Sequence, residues 1–174
     1  MSTGVLITGF PNVTSRVLLR RLLGVEGTIG PVFLLASAQT EAEAQRFIAQ
    51  LDPTLARKVV LVVGRSSAID LGLSGTEYKR LANHVAVIHH CAVTLSPSLD
   101  RATAEEINIV GTREILEFAR TVTELDCLMF HSSVLALGVR EGVGQEVLAA
   151  PGTHFDCAAQ RALAGAEQMV HAAM

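Results

Sequence analysis

Five short apolar runs punctuate the chain: Val5–Thr8, Val32–Ala36, Val59–Val63, Val85–His90 and Cys127–Ser132. They are rich in branched residues and do not alternate with polar positions. Near-continuous apolar runs of this kind are what strands buried on both faces of a parallel sheet require. The stretches between them take a helical period. Ser15–Leu23 is one such stretch, and Thr40–Gln50 is another, with Glu and Ala in its first turn. Thr76–Leu81 is short. Ala102–Thr121 is long, with Ile107, Val110, Ile115, Leu116, Phe118 and Ala119 near helical spacing, and the last helix is expected over Asp156–Ala173. Strands and helices in strict alternation predict a doubly wound α/β domain with right-handed crossovers. Gly138–Gly144 is the most loop-like segment. It lies just past the carboxyl end of a strand, where open α/β sheets bind ligands.

The bulk numbers narrow this picture. A chain of 174 residues has the length of one domain and can bury a core. With 49% hydrophobic and 18% charged residues it does not read as disordered. No apolar run reaches the ~18 residues of a membrane span. The amino terminus lacks a basic-then-apolar leader, so a cytoplasmic location is expected. The net charge of −3 offers no footprint for nucleic acid. Cys91, Cys127 and Cys157 are widely spaced and odd in number, as for reduced thiols. No metal is expected. His89, His90 and Cys91 are consecutive, and successive strand residues face opposite ways. The chain contains neither C-x-x-C nor H-E-x-x-H.

Five segments, in order, resemble the extended short-chain dehydrogenase/reductases, and among them the fatty-acyl and thioester reductase branch. They are "ITGFPNVTSRVLLRRLL", "VFLLASAQTEAEAQRF", "VVGRSSAIDLGLSGTEYKRLANHVAVIHHCAV", "INIVGTREILEFAR" and "FHSSVLALG". The first resembles the T-G-x-x-G-x-x-G opening, the fourth the N-V-x-G-T-x-x-L-L helix, the last the strand that carries an active-site serine. The resemblance implies a Rossmann-like three-layer domain whose five-stranded parallel sheet has the order 3-2-1-4-5. It implies NAD or NADP as cofactor, and hydride transfer to a carbonyl or thioester. In such sites a tyrosine is the general acid, a lysine lowers its pKa, and a serine or threonine holds the carbonyl oxygen.

Taken residue by residue, the resemblance is uneven. The serine position, five before a glycine, falls on Ser133, before Gly138. The tyrosine is absent: the chain's one tyrosine is Tyr78, its lysines are Lys58 and Lys79, and no Y-x-x-x-K exists. Aligning the downstream A-E with Ala166-Glu167 puts Ala159 and Leu163 in the two slots. An alternative puts Cys157 and Arg161 there, where a thiol beside a guanidinium would be a candidate nucleophile or acid. In the cofactor turn Thr8 and Gly9 remain, but Asn12 and Ser15 replace the later glycines. Asn tolerates positive φ better than most residues, so the turn itself is expected to survive. Ser37 stands where the resemblance expects the strand-end selector for the ribose, and Arg65 replaces the acid after the third strand. His90, Ala92 and Asn108 complete the positions that the resemblance assigns to a cofactor site.

Joint loss at Asn12, Ser37, Arg65 and the tyrosine and lysine slots is expected to yield a degenerate reductase. It would serve as a structural or regulatory partner that binds nucleotide weakly or not at all. The alternative is an active NAD(P)-dependent thioester or aldehyde reductase with a reorganised site, using Ser133 with Cys157 or Arg161, or completed by another chain. Extended members run further, so the carboxyl-terminal substrate-binding part is expected to be lacking and the fifth strand to be an open edge. The expected partner is a second copy, docked through the helices at 102–121 and 156–173, or a second chain supplying the missing half.

Overall fold

The computed structural model describes residues 3–25 and 29–173. Its strands are β1 (Thr3–Ile7), β2 (Ile29–Ala36), β3 (Val59–Val63), β4 (Val85–His90) and β5 (Cys127–Phe130). They form one parallel sheet in the order β3-β2-β1-β4-β5, the order the sequence predicts. Central β1 sets the register, with Val5 opposite Val32 on one side and Val87 on the other. The helices are α1 (Val13–Leu23), α2 (Glu41–Ala49), α3 (Pro53–Ala56), α4 (Gly75–Ala82), α5 (Arg101–Glu105), α6 (Gly111–Thr121) and α7 (Ala158–Ala172).

Alternate residues of one strand feed two cores, which is why the strands read as unbroken apolar runs. Val5 and Ile7 join Val32, Leu34, Leu19, Leu23 and Phe47 beneath α1 and α2. Leu6 joins Phe33, Ile88, Leu81, Ile115 and Phe118 beneath α4 and α6. Each fully buried side chain of this size stabilises the fold by about 1.5–3 kcal/mol. α7 lies against α5 and α6 and buries Ala159, Ala162, Leu163, Ala164 and Ala166. At Gly165 a Cβ would stand 2.9 Å from Ile109 Cδ1, so the small residues serve this close helix contact within the chain.

The structure moves several boundaries. α1 begins at Val13, because Asn12 caps it. β5 stops at Phe130: the His131 amide still donates to the His90 carbonyl at 3.0 Å, and Ser133 then caps a 3₁₀ turn over Val134–Leu137. α7 starts at Ala158 after an extended Cys157. The long helix is not regular, for a π-helical turn over Glu106–Val110 joins α5 to α6. Two elements carry no periodic signal: α3, with Asp52 as its cap, and a 3₁₀ turn over Ile69–Gly72. In that turn Asp70 and Leu71 take φ of 51° and 58°, and Leu71 is fully buried. No regular helix or strand forms between Gly138 and Cys157. Among the described residues no helix is long and apolar enough to cross a membrane.

Candidate functional site

The cofactor-type turn runs from β1 into α1, at the point where the strand order reverses between β1 and β4. Gly9 has φ +86°, and a Cβ there would lie 2.5 Å from the carbonyl carbon and oxygen of Cys91, so only glycine fits. Asn12 was expected to exploit a tolerance for positive φ. Instead its φ is −62° and ψ 160°, the extended geometry of a helix cap. Its Oδ1 accepts from the Ser15 amide at 2.8 Å, and its Nδ2 donates to the Cys91 carbonyl at 2.5 Å. Ser15, fully buried, donates its hydroxyl to the Asn12 carbonyl at 2.9 Å. The slots of the two missing glycines are thus closed by hydrogen bonds internal to the protein.

Beneath the turn lies a buried polar chain. Thr8 Oγ1 accepts from the amides of Cys91 and Ala92 at 3.2 Å each, and stands 2.8 Å from His90 Nδ1. With its lone pairs engaged, the hydroxyl donates to Nδ1, which fixes the proton of the ring on Nε2. Nε2 then donates to Thr112 Oγ1 at 3.2 Å, and Thr112 donates to the Asn108 carbonyl at 2.6 Å. Burial pushes the His90 pKa down to about 3, so the ring is neutral. Asn108, inside the π-helical turn, accepts from the Thr94 amide and donates to the carbonyls of Thr94 and Ala159 at 2.8, 2.9 and 3.0 Å. His90 and Asn108 therefore tie β1, β4, the long helix and α7 together.

Over the carboxyl ends of these strands opens a crevice of about 520 Å³. Asn12, Thr14, Cys91, His131 and Ser132 line it beside Val93, Leu95 and Phe130. His131 Nε2 lies 3.0 Å from Nδ1 of buried His89. Desolvation lowers the pKa of both rings, and the charge of His131 lowers that of His89 further. The Cys91 thiol is pushed up to about 12 by burial and is not a nucleophile at neutral pH. In the sequence His89 stands out only as a strand end and as a poor metal ligand beside His90 and Cys91, and His131 does not stand out at all. His131 lies one residue past β5 and two past Met129, the register partner of His89, and residues two apart share a face.

The remaining candidates are distributed around this crevice. Ser37 follows β2, and its hydroxyl pairs with that of Thr40 at 3.0 Å. The Arg65 guanidinium is ion-paired with Glu106, which also accepts from Ser67 at 3.1 Å. Ser133 accepts from the Leu135 amide at 3.3 Å and lines a separate groove of about 940 Å³ beside β5, with Phe130, Leu137 and Val170. Cys157 and Arg161 line a third cleft with Arg101 and Glu105, where Arg161 stacks over Phe155 at 5.8 Å. Ser133 thus shares no cleft with either of them. Ala159 and Leu163, in the alternative slots, are fully buried core residues. No cluster of three or more His, Cys, Asp or Glu able to hold a metal occurs among the described residues. A nicotinamide nucleotide fits this site poorly. Gly9 still permits close approach, but the Ser15 amide, Asn12, Ser37 and Arg65 are all engaged within the protein.

Residues 7–172 match the family model described as Male sterility protein, an NAD-binding domain. Fatty acyl-CoA reductase 1 of Gallus gallus is 24% identical over 159 residues, which is 84% of this chain and 31% of that protein. A Drosophila melanogaster fatty acyl-CoA reductase is 26% identical over 145 residues, covering 76% of this chain and 28% of its own length. Among solved structures, the terminal R domain from the myxalamid PKS-NRPS biosynthetic pathway superposes with a TM-score of 0.84 at 25% identity. The match covers 98% of this chain and 46% of that domain. The chain therefore spans less than a third of the length of these curated relatives.

Proposed function

The chain belongs to the Male sterility protein family, and from that premise we propose that it is a reductase-lineage NAD(P)-binding-type domain whose tyrosine-dependent chemistry has lapsed. Its role in this reading is that of a structural or regulatory partner. The observation that carries the reading is the double engagement of Asn12, which caps α1 and holds the Cys91 carbonyl where the family's turn has a bare glycine. The absence of any Y-x-x-x-K supports it, as does the burial of Ala159 and Leu163. General acid catalysis contributes about 10²–10⁴-fold, and neither Ala159 nor Leu163 can supply it, while Cys157 and Arg161, the alternative pair, line a different cleft from Ser133.

A partner is the second half of the proposal. β5 pairs only with β4 among the described residues, and Cys127 and Met129 on it are exposed. An edge with an apolar groove beside it calls for cover. A second chain over β5 suits this better than a second copy on α6 and α7, whose small faces already meet each other. Steady-state assays with NADH or NADPH and an acyl thioester test the first half. No turnover is expected, and turnover that Ser133→Ala abolishes would replace it with an active reductase. Light scattering tests the second: a clean homodimer would favour a copy over a different chain.

A further inference from the structure

The His89–His131 contact has no counterpart in the reading above, which leaves the crevice it adjoins without a ligand. Two imidazoles with Nδ1 and Nε2 3.0 Å apart share one hydrogen bond, and one of the two nitrogens must carry the proton. His89 is 6% exposed, whereas His131 reaches the crevice wall. The wall is divided. Asn12, Thr14, His131 and Ser132 offer polar groups, while Val93, Leu95 and Phe130 offer an apolar surface. A volume of about 520 Å³ suits a small molecule.

We propose that this crevice binds a short-chain carboxylate, with the carboxylate against His131 and the aliphatic chain along Val93, Leu95 and Phe130, and that the His131–His89 pair takes up one proton on binding. The argument is electrostatic. Among the described residues no carboxylate lines the crevice beside the pair. Asn12 and Thr14 at the start of α1 are uncharged, Cys91 stays a thiol, His90 on the opposite face of β4 stays neutral, and Ser132 follows β5. Burial of both rings, and the charge of His131 acting on His89, bias the pair toward its neutral form. An arriving anion reverses that balance, because an opposite charge favours the imidazolium. The resulting cation is shared by two rings and neutralised by the ligand in a partly buried site, where the attraction is less screened than in water. This inference does not depend on the fate of nucleotide binding.

The test uses the full chain, with hexanoate as the probe and hexanamide as its neutral twin. Calorimetry in buffers of different ionisation enthalpy should report uptake of about one proton with hexanoate, and affinity should rise by about tenfold per pH unit as pH falls through the range where the pair titrates. Nitrogen-detected NMR of the histidine rings should show His131 and His89 moving toward the imidazolium form on saturation. His131→Gln, which keeps a polar side chain, should remove both the proton uptake and the pH dependence. If that variant does not fold, the ring spectra of the unaltered protein still decide. Hexanoate that fails to bind at tens of millimolar would overturn the proposal. So would pH-independent binding, or equal behaviour by hexanamide. NADH and NADPH play no part in these readings, so their outcome leaves the proposed loss of reductase function to be judged separately.

Discussion

The side-chain amide of Asn12 reaches across the turn to the Cys91 carbonyl, joining the first helix to the end of β4 at 2.5 Å. The same side chain caps Ser15. One residue thus replaces a glycine that the family uses for ligand approach with two hydrogen bonds that serve the fold. Asn12→Gly is expected to cost about 1–1.5 kcal/mol in urea unfolding, a few tenths from the cap and the rest from the lost Cys91 link. It should also raise NADPH binding from undetectable to weak, read by calorimetry. Tight binding is not expected, because Ser37 and Arg65 remain engaged with Thr40 and Glu106.

Thr8→Val keeps the shape and removes the hydroxyl. It strands the amides of Cys91 and Ala92 and leaves His90 Nδ1 without a donor. The expected cost is about 2–4 kcal/mol, because buried polar groups left unpaired lose their full hydration. Thr8→Ser should cost about 1 kcal/mol or less. Chemical denaturation of the two variants separates the hydroxyl from the methyl.

Asn108→Leu removes three hydrogen bonds at the π-helical turn and leaves the Thr94 amide without its acceptor. A loss of about 3 kcal/mol is expected. Hydrogen exchange should show the loss concentrated at the start of α7 and around Thr94, not in β1 to β3. Uniform loosening of the sheet would contradict the assignment.

Acid should destabilise the protein before any carboxylate titrates. A histidine in the unfolded chain protonates near pH 6.5, whereas folded His90 resists until about 3 and His89 and His131 are also lowered. Above about pH 6.5 both states are neutral and the groups contribute nothing. As pH falls below that value, the unfolded chain gains protons the folded one refuses, and stability drops by about 1.4 kcal/mol per pH unit for His90 alone. The half-buried pair adds less. Urea midpoints at pH 7.5 and 5.5 read this directly. A flat profile would mean that the His90 ring is not held neutral.

The sheet was legible because its physics is repetitive. Val5, Leu6 and Ile7 must all be apolar when both faces are covered, and the same holds along β2. The ends were less legible. The strand expected over Cys127–Ser132 stops at Phe130, and Ser133 caps a 3₁₀ turn. Asn12 carries two signals, a helix cap that places the start of α1 at Val13 and the place of a family glycine, and its geometry follows the first. The π-helical turn has no hydrophobic signature; the bonds of Asn108 within it go to Thr94 and Ala159, which are distant in sequence. At the site, the missing tyrosine and lysine could be counted from the sequence. That Ser133 and Cys157 line different clefts could not, because it depends on the path of the irregular segment between them. His131 was missed because its partner His89 lies 42 residues away.

Asn12, the Ser15 amide, Ser37 and Arg65, which stand at cofactor positions, are all engaged within the protein. Isothermal titration of the full chain with NADPH and with NADH tests most directly whether they still serve a nucleotide. No saturable binding of either is expected at micromolar concentrations. Micromolar affinity for one of them would contradict it and return the turn at Gly9–Ser15 to service as a cofactor site.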